Sequence, residues 1–302
     1  MIRVVMFDLG QTLIDAHNKP FPHVEQALAA IADMRTADGR ALRSCLVSDY
    51  DMPVTAGNTQ QIGRIFRQYL QLLQASGLRA LFEPVQRRVT LSCHAGVFKP
   101  QRALFEAALR RLRAAVALKD CLLVTGNAAR ARAVRQQLGM QALRFRSGSS
   151  ADFDFEDWSQ APALITHLVA PHHPANLRAA VRAHLAAQGV ELDALERDAA
   201  GHLQARGRIW QAVSVPGLAP PELHVALPVS AELSVDSKGA LQSRLRRPGP
   251  GEREELRQFV ASLAQQGQIA QGAESQGGKA SHEITIDAQG RRCLQRRRFS
   301  AR

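Results

Sequence analysis

The sequence predicts an α/β protein: a doubly wound parallel sheet in residues 1–168, a linker at 169–176, and a smaller, basic α+β module of antiparallel hairpins in residues 177–302. Three observations carry that expectation. Short runs that are apolar throughout alternate with stretches of helical spacing, which is the pattern of strands buried on both faces between covering helices. The segment Ala170-Pro171-His172-His173-Pro174 brackets a polar pair with two prolines, residues that end helices and remove backbone donors. Beyond it one kind of turn recurs three times, with Asp first and Gly fourth, as a tight reversal prefers.

The elements follow in order. Residues 2–7 form an apolar run that ends at Asp8, residues 24–34 repeat at helical intervals, and residues 44–47 make a second short run. Helical spacing returns over 62–73 and again over 105–112; residues 121–124 read as a buried strand and 128–138 as a helix. Past the prolines, residues 175–188 are helical. The turns Asp198-Ala199-Ala200-Gly201, Asp236-Ser237-Lys238-Gly239 and Asp287-Ala288-Gln289-Gly290 read as hairpin tips, either three independent turns or one repeated unit. Residues 233–235 and 284–286 alternate as half-buried strands do, residues 252–263 are helical, and the Gln- and Gly-rich residues 265–278 read as a mobile loop.

Composition excludes several classes. With 302 residues, 45% of them apolar and 22% charged, the chain can bury a core, and wholesale disorder is excluded. No run approaches the ~18 apolar residues of a membrane span, and the opening MIRVVMFDLGQTL lacks the apolar core of a secretory signal. Cys45, Cys93, Cys121 and Cys293 form no CxxC pair, which argues against a zinc knuckle or a disulfide framework and fits a reducing cytoplasm. Thirty-nine basic against 27 acidic residues give a net charge of +12, favouring encounter with phosphates, nucleic acid or an acidic protein surface.

The strongest chemical signal is Val4-Val5-Met6-Phe7-Asp8-Leu9-Gly10-Gln11-Thr12-Leu13. A buried strand that delivers a carboxylate at its C-terminal end places it where open α/β sheets bind ligands. Three further stretches follow: Ser44-Cys45-Leu46-Val47-Ser48; Gly96-Val97-Phe98-Lys99-Pro100 ahead of Ala103-Leu104-Phe105-Glu106-Ala107-Ala108-Leu109; and Leu122-Leu123-Val124-Thr125-Gly126-Asn127 through Leu138-Gly139-Met140. Together they resemble, in order and spacing, the four motifs of the haloacid dehalogenase (HAD) superfamily. The resemblance covers residues 1–168. It implies a Rossmann-like sheet, Asp8 as nucleophile of phosphate-ester hydrolysis, and Ser48 and Lys99 as catalytic anchors of the phosphoryl oxygens. It also implies Thr12, Gly10 and Asn127 as substrate-binding positions. The short gaps between motifs resemble a capless member, whose open site suits a phosphorylated small molecule or macromolecule.

The departures from the family pattern matter as much. The second motif I acid, which protonates the leaving group, is replaced by Gly10, and such help is worth about 10²–10⁴ in rate. Asn127 and Ala131 stand at the two acidic positions of motif IV. Mg²⁺ prefers hard oxygen ligands including carboxylates, so Asp8 and Asn127 predict only weak Mg²⁺ binding, opposed by Arg130 and Arg132. Three readings stay open: an impaired or atypical hydrolase using Asp8, a non-catalytic pseudoenzyme that scaffolds protein or nucleic acid, and metal-free chemistry similar to that of the 2-haloacid dehalogenases. Asp49 and Asp51 read as loop carboxylates or, less simply, as replacement metal ligands. His17 and His23 read as loop surface, and His172-His173 as a solvated linker.

The C-terminal run from Gly290 to Arg302 carries Arg291, Arg292, Arg296, Arg297 and Arg298 as candidate polyanion-binding residues, since guanidinium forks match phosphate geometry. An edge strand guarded by charge is the competing reading. Arg206, Arg208 and Trp210, with Arg244, Arg246 and Arg247, would join one basic face if the hairpins pack side by side. The expected partners are therefore nucleic acid or acidic protein at the C-terminal module, and no membrane.

Overall fold

The structure is a computed structural model that describes residues 1–146, 154–198, 202–237, 239–270 and 280–297. It forms two compact units: Met1–Ala187 with Val235–Leu241, and Gln188–Ser234 with Gln242–Arg302. Among the described residues no helix is long and apolar enough to cross a membrane.

The first unit runs β1 (Val4–Phe7), α1 (Val24–Ala32), β2 (Arg43–Ser48), α2 (Thr59–Ala75), α3 (Val85–Arg88), β3 (Val89–Leu91), α4 (Ser92–Ala95), α5 (Arg102–Leu112), β4 (Cys121–Thr125), α6 (Ala128–Leu138), β5 (Gln141–Arg144), α7 (Ala161–Val169) and α8 (Pro174–Ala186). Its five strands make one parallel sheet in the order β3-β2-β1-β4-β5, with Val4 opposite both Arg43 and Cys121. Successive strand residues face opposite sides. Val5, Phe7, Leu46, Leu122 and Val124 therefore pack against α1, α2 and α7. Val4, Met6, Cys45, Val47 and Leu123 pack against α5 and α6. That two-sided burial is why these strands carry no alternating polar residue.

The chain moves outward from β1 through β2 to β3, then returns to the other side of β1 for β4 and β5. Connections diverge between β1 and β4, so a crevice opens at the carboxyl ends of these strands, the place where such sheets hold ligands. A cluster of Phe7, Phe82, Phe145, Phe155 and Trp158 lies beneath it, with ring centroids 5.3–6.4 Å apart. The Trp158 indole donates to the Thr12 carbonyl at 2.9 Å, tying down the loop that follows β1.

The expected linker at 169–176 lies inside this unit. Pro174 is the first-turn residue of α8, where its missing donor costs nothing. Ala179 and Ala183 of α8 pack on Ala30 of α1, and the Asn176 side chain accepts from the Arg35 N–H at 2.7 Å and donates to its carbonyl at 2.8 Å. The division between units falls after Ala187.

The second unit contains β6 (Glu191–Arg197), β7 (Leu203–Ser214), β8 (Glu222–Val235, its last residue grouped with the first unit), β9 (Leu241–Arg246, likewise from Gln242), α9 (Pro250–Gln265), β10 (Ile269–Ala270), β11 (His282–Ile286) and β12 (Arg292–Arg296). These strands form a seven-stranded sheet in the order β10-β11-β12-β8-β7-β6, with β9 also paired to β8. The expectation of antiparallel hairpins holds for β6–β7, β7–β8 and β11–β12. It fails for β12 on β8 and β10 on β11, which are parallel, so the sheet is mixed. Val260 and Leu263 of α9 pack with Val213, Leu223, Val225 and Leu294 to make the core.

All three expected turns close in one way. The Asp198, Asp236 and Asp287 carboxylates accept from the N–H four residues on, at 2.8, 2.9 and 2.8 Å, while their own N–H groups donate back to the carbonyl of that residue. The expected loop at 265–278 contains β10; its residues 271–278 lie outside the described residues.

Candidate functional site

Asp8 leaves the end of β1 with its N–H bonded to the Val124 carbonyl at 3.0 Å, which fixes the carboxylate between β1 and β4. Four donors meet it. The Lys99 ammonium at 2.5 Å and the Leu9 N–H at 3.0 Å take Oδ1; the Thr125 hydroxyl at 3.1 Å and the Arg130 guanidinium at 2.9 Å take Oδ2. An ionised carboxylate offers about four lone-pair sites. All four are spent within the protein.

The cations have further anchors. Lys99 also donates to the Val47 carbonyl at 2.8 Å, and its side chain has no solvent exposure. Burial pushes its pKa down, against the upward pull of the neighbouring Asp8. Arg130 reaches from Asp8 to Asp49 Oδ2 at 2.6 Å, while Asp49 Oδ1 accepts the Lys99 N–H at 2.9 Å. Two carboxylates thus face two cations, and the cluster is neutral. Asp49 is the loop carboxylate expected after β2, and it serves as the second anion of this network.

The remaining expected residues are placed as follows. Ser48 ends β2, but its hydroxyl is paired at 2.5 Å with the Tyr69 hydroxyl from α2. Burial raises the Tyr69 pKa, so that hydroxyl stays protonated. Thr12 is buried, accepting the Gly126 N–H at 2.8 Å, and so is a brace between two loops and not an exposed contact for substrate. Asn127 caps α6, its Oδ1 accepting the Arg130 N–H at 3.0 Å. Gly10 is exposed, and an added Cβ would meet nothing within 4 Å, so neither crowding nor backbone conformation holds glycine there.

A divalent cation does not fit this donor set. Asp8 has no acceptor site left, the Asn127 oxygen is committed to its cap, and the guanidinium of Arg130 lies against the carboxylate. Among the described residues no group of three or more His, Cys, Asp or Glu has metal-holding geometry. Sequence reasoning missed Tyr69, Thr125 and the bridging part of Arg130. Tyr69 could have been found, because Ile65, Tyr69 and Leu73 form a buried i, i+4 stripe and a buried tyrosine hydroxyl needs a partner.

The C-terminal candidates are largely committed to acids or carbonyls. Arg291 pairs with Glu191 at 2.7 Å and Asp287 at 2.6 Å, and its guanidinium carbon lies 4.9 Å from the Trp210 ring centroid. Arg292 donates to the Pro220 carbonyl and Arg297 pairs with Glu283 at 3.7 Å. Arg296 is exposed, and Arg298 lies outside the described residues. The run is also no edge strand, since β12 lies between β11 and β8. Arg206 pairs with Glu196, and Arg208 with Glu191 and Asp193, while Arg244 and Arg246 are exposed and Arg247 donates to the Gln188 carbonyl at 2.8 Å. His17 is exposed, whereas His23 bonds Asp157 at 2.9 Å at the start of α1. Neither a protein-family model nor a curated protein matches the chain.

Proposed function

We propose that the first unit is a HAD-like domain whose nucleophile position has become a structural ion-pair network, and that the protein acts as a binding scaffold, not as a phosphohydrolase. The observation that carries this reading is the Arg130 guanidinium bridging Asp8 and Asp49 at 2.9 and 2.6 Å. In-line attack on phosphorus needs a free carboxylate oxygen aimed at the substrate. Here each oxygen holds two donors, one of them cationic, and freeing an oxygen for attack would break a charge-assisted hydrogen bond. With Gly10 there is no carboxyl group at that position to protonate a leaving group.

The hydrolase reading keeps one specific support. Asp8 follows β1, Ser48 ends the neighbouring β2, and the Lys99 ammonium reaches Asp8 from the segment before α5. An activated aryl phosphate separates the two, because its leaving group needs little protonation. Turnover by wild type, with or without Mg²⁺, is expected to equal that of Asp8→Asn and of buffer. Turnover that disappears in Asp8→Asn would overturn the scaffold reading in favour of hydrolysis.

A further inference from the structure

The edge of the parallel sheet opposite Asp8 carries an uncompensated cluster of arginines. β1 and β2 begin there, and α1 and α5 end there. Two hollows, of about 330 and 470 Å³, open on this edge, and Arg43 and Arg113 line both. Arg3 and Arg40 complete the first, Arg87 and Arg88 the second. Asp38 is the single acid among the lining residues. It lies 3.5 Å from Arg3 and 3.6 Å from Arg40, separations too long and exposed to neutralise both.

Two of the six arginines have structural duties. Arg43 donates to the Arg113 carbonyl at 2.8 Å, at the C-terminal end of α5, where a cation complements the helix dipole. Arg88 holds the Ser44 carbonyl at 2.9 Å and its hydroxyl at 2.6 Å. Arg40, Arg87 and Arg113 are exposed and have no short ion pair among the described residues. In the second unit Arg206, Arg208, Arg291 and Arg297 are each matched to a carboxylate, while Arg244 and Arg246 are exposed. The sheet edge of the first unit thus carries six arginines against one lining acid.

We propose that this edge binds the phosphate backbone of duplex nucleic acid without reading its sequence. Guanidinium forks suit phosphate oxygens. No aromatic side chain lines either hollow, so bases have no stacking platform, which disfavours a single-strand site. None of the exposed large apolar side chains lines them, so the anchor that a protein partner needs is lacking. The inference stands apart from the Asp8 site and does not depend on it.

The test is fluorescence anisotropy of a short labelled DNA duplex with the full chain over a salt series. Affinity is expected to fall steeply between about 50 and 200 mM salt. Arg40→Glu/Arg113→Glu is expected to weaken binding about tenfold or more and to flatten the salt slope by about two, one for each phosphate that is no longer neutralised. Arg40→Gln/Arg87→Gln, milder at exposed positions, should weaken it in the same direction. Arg296→Ala/Arg297→Ala should bind as wild type. Binding indifferent to the sheet-edge variants, binding abolished in the tail variant, or retention of poly-glutamate with no retention of duplex would each overturn the proposal.

Discussion

At Asp8 a single residue type serves two incompatible demands. A nucleophile needs an oxygen free to move toward substrate, whereas a buried carboxylate needs every lone pair filled. Here Lys99, Leu9, Thr125 and Arg130 fill them. The motif residues Asp8, Ser48 and Lys99 were legible because they end strands or precede helices in a fixed order. Their partners were not, since Tyr69 and Asp49 are distant in sequence from the groups they hold. His94 offers a separate residue-level expectation. Its Nδ1 accepts the Leu91 N–H at 2.9 Å, and burial, aided by Arg111, lowers its pKa from the usual 6.5 to about 4. Between those values the unfolded chain binds a proton that the native state refuses, so stability falls as pH falls through that window. Denaturant titrations at pH 7 and pH 5 are expected to show this loss, and His94→Gln, which keeps an acceptor, should reduce the difference. An unchanged difference would remove His94 from the account.

Among the elements, those with a complete pattern were the legible ones. α6 begins and ends as its spacing predicts, and β1, β2 and β4 fall within a residue or two of theirs. The short β3, with three residues, and β5, which begins and ends with polar Gln141 and Arg144, carry too little pattern to identify. α7 was missed because it is buried almost all round and so has no amphipathic stripe. The parallel pairing of β12 with β8 joins Cys293 to His224, a match that local sequence does not encode. The bulge between Leu192 and Ala194 brings β6 close to Gly207 on β7. A Cβ there would press on the Glu191 carbonyl oxygen and approach Val190 Cγ1 to 2.9 Å. Gly207→Ala is therefore expected to cost about 1–3 kcal/mol by overpacking, read by chemical denaturation of the second unit. A neutral result would mean that β6 can shift freely.

For the whole molecule, composition set the broad class, and its two units are those of an α/β sheet followed by a mixed sheet. The boundary was misplaced because two prolines signal a break equally well between domains and within a tight helix–helix turn. Net charge was legible in amount but not in place: the tail attracts attention in sequence, yet the fold matches Arg291 and Arg297 to carboxylates and Arg292 to a carbonyl, while six arginines line the first sheet edge against one acid. The ion pair between Asp8 and Arg130 is what closes the Asp8 carboxylate to substrate. A double-mutant cycle of Asp8→Asn and Arg130→Gln tests it most directly, by denaturant unfolding of the full chain in a Trp210→Phe background, where Trp158 reports on the first unit. The expected coupling is about 1–3 kcal/mol, the range of directly interacting charged groups. A coupling indistinguishable from zero would mean that the guanidinium does not hold the carboxylate, and would contradict the scaffold reading.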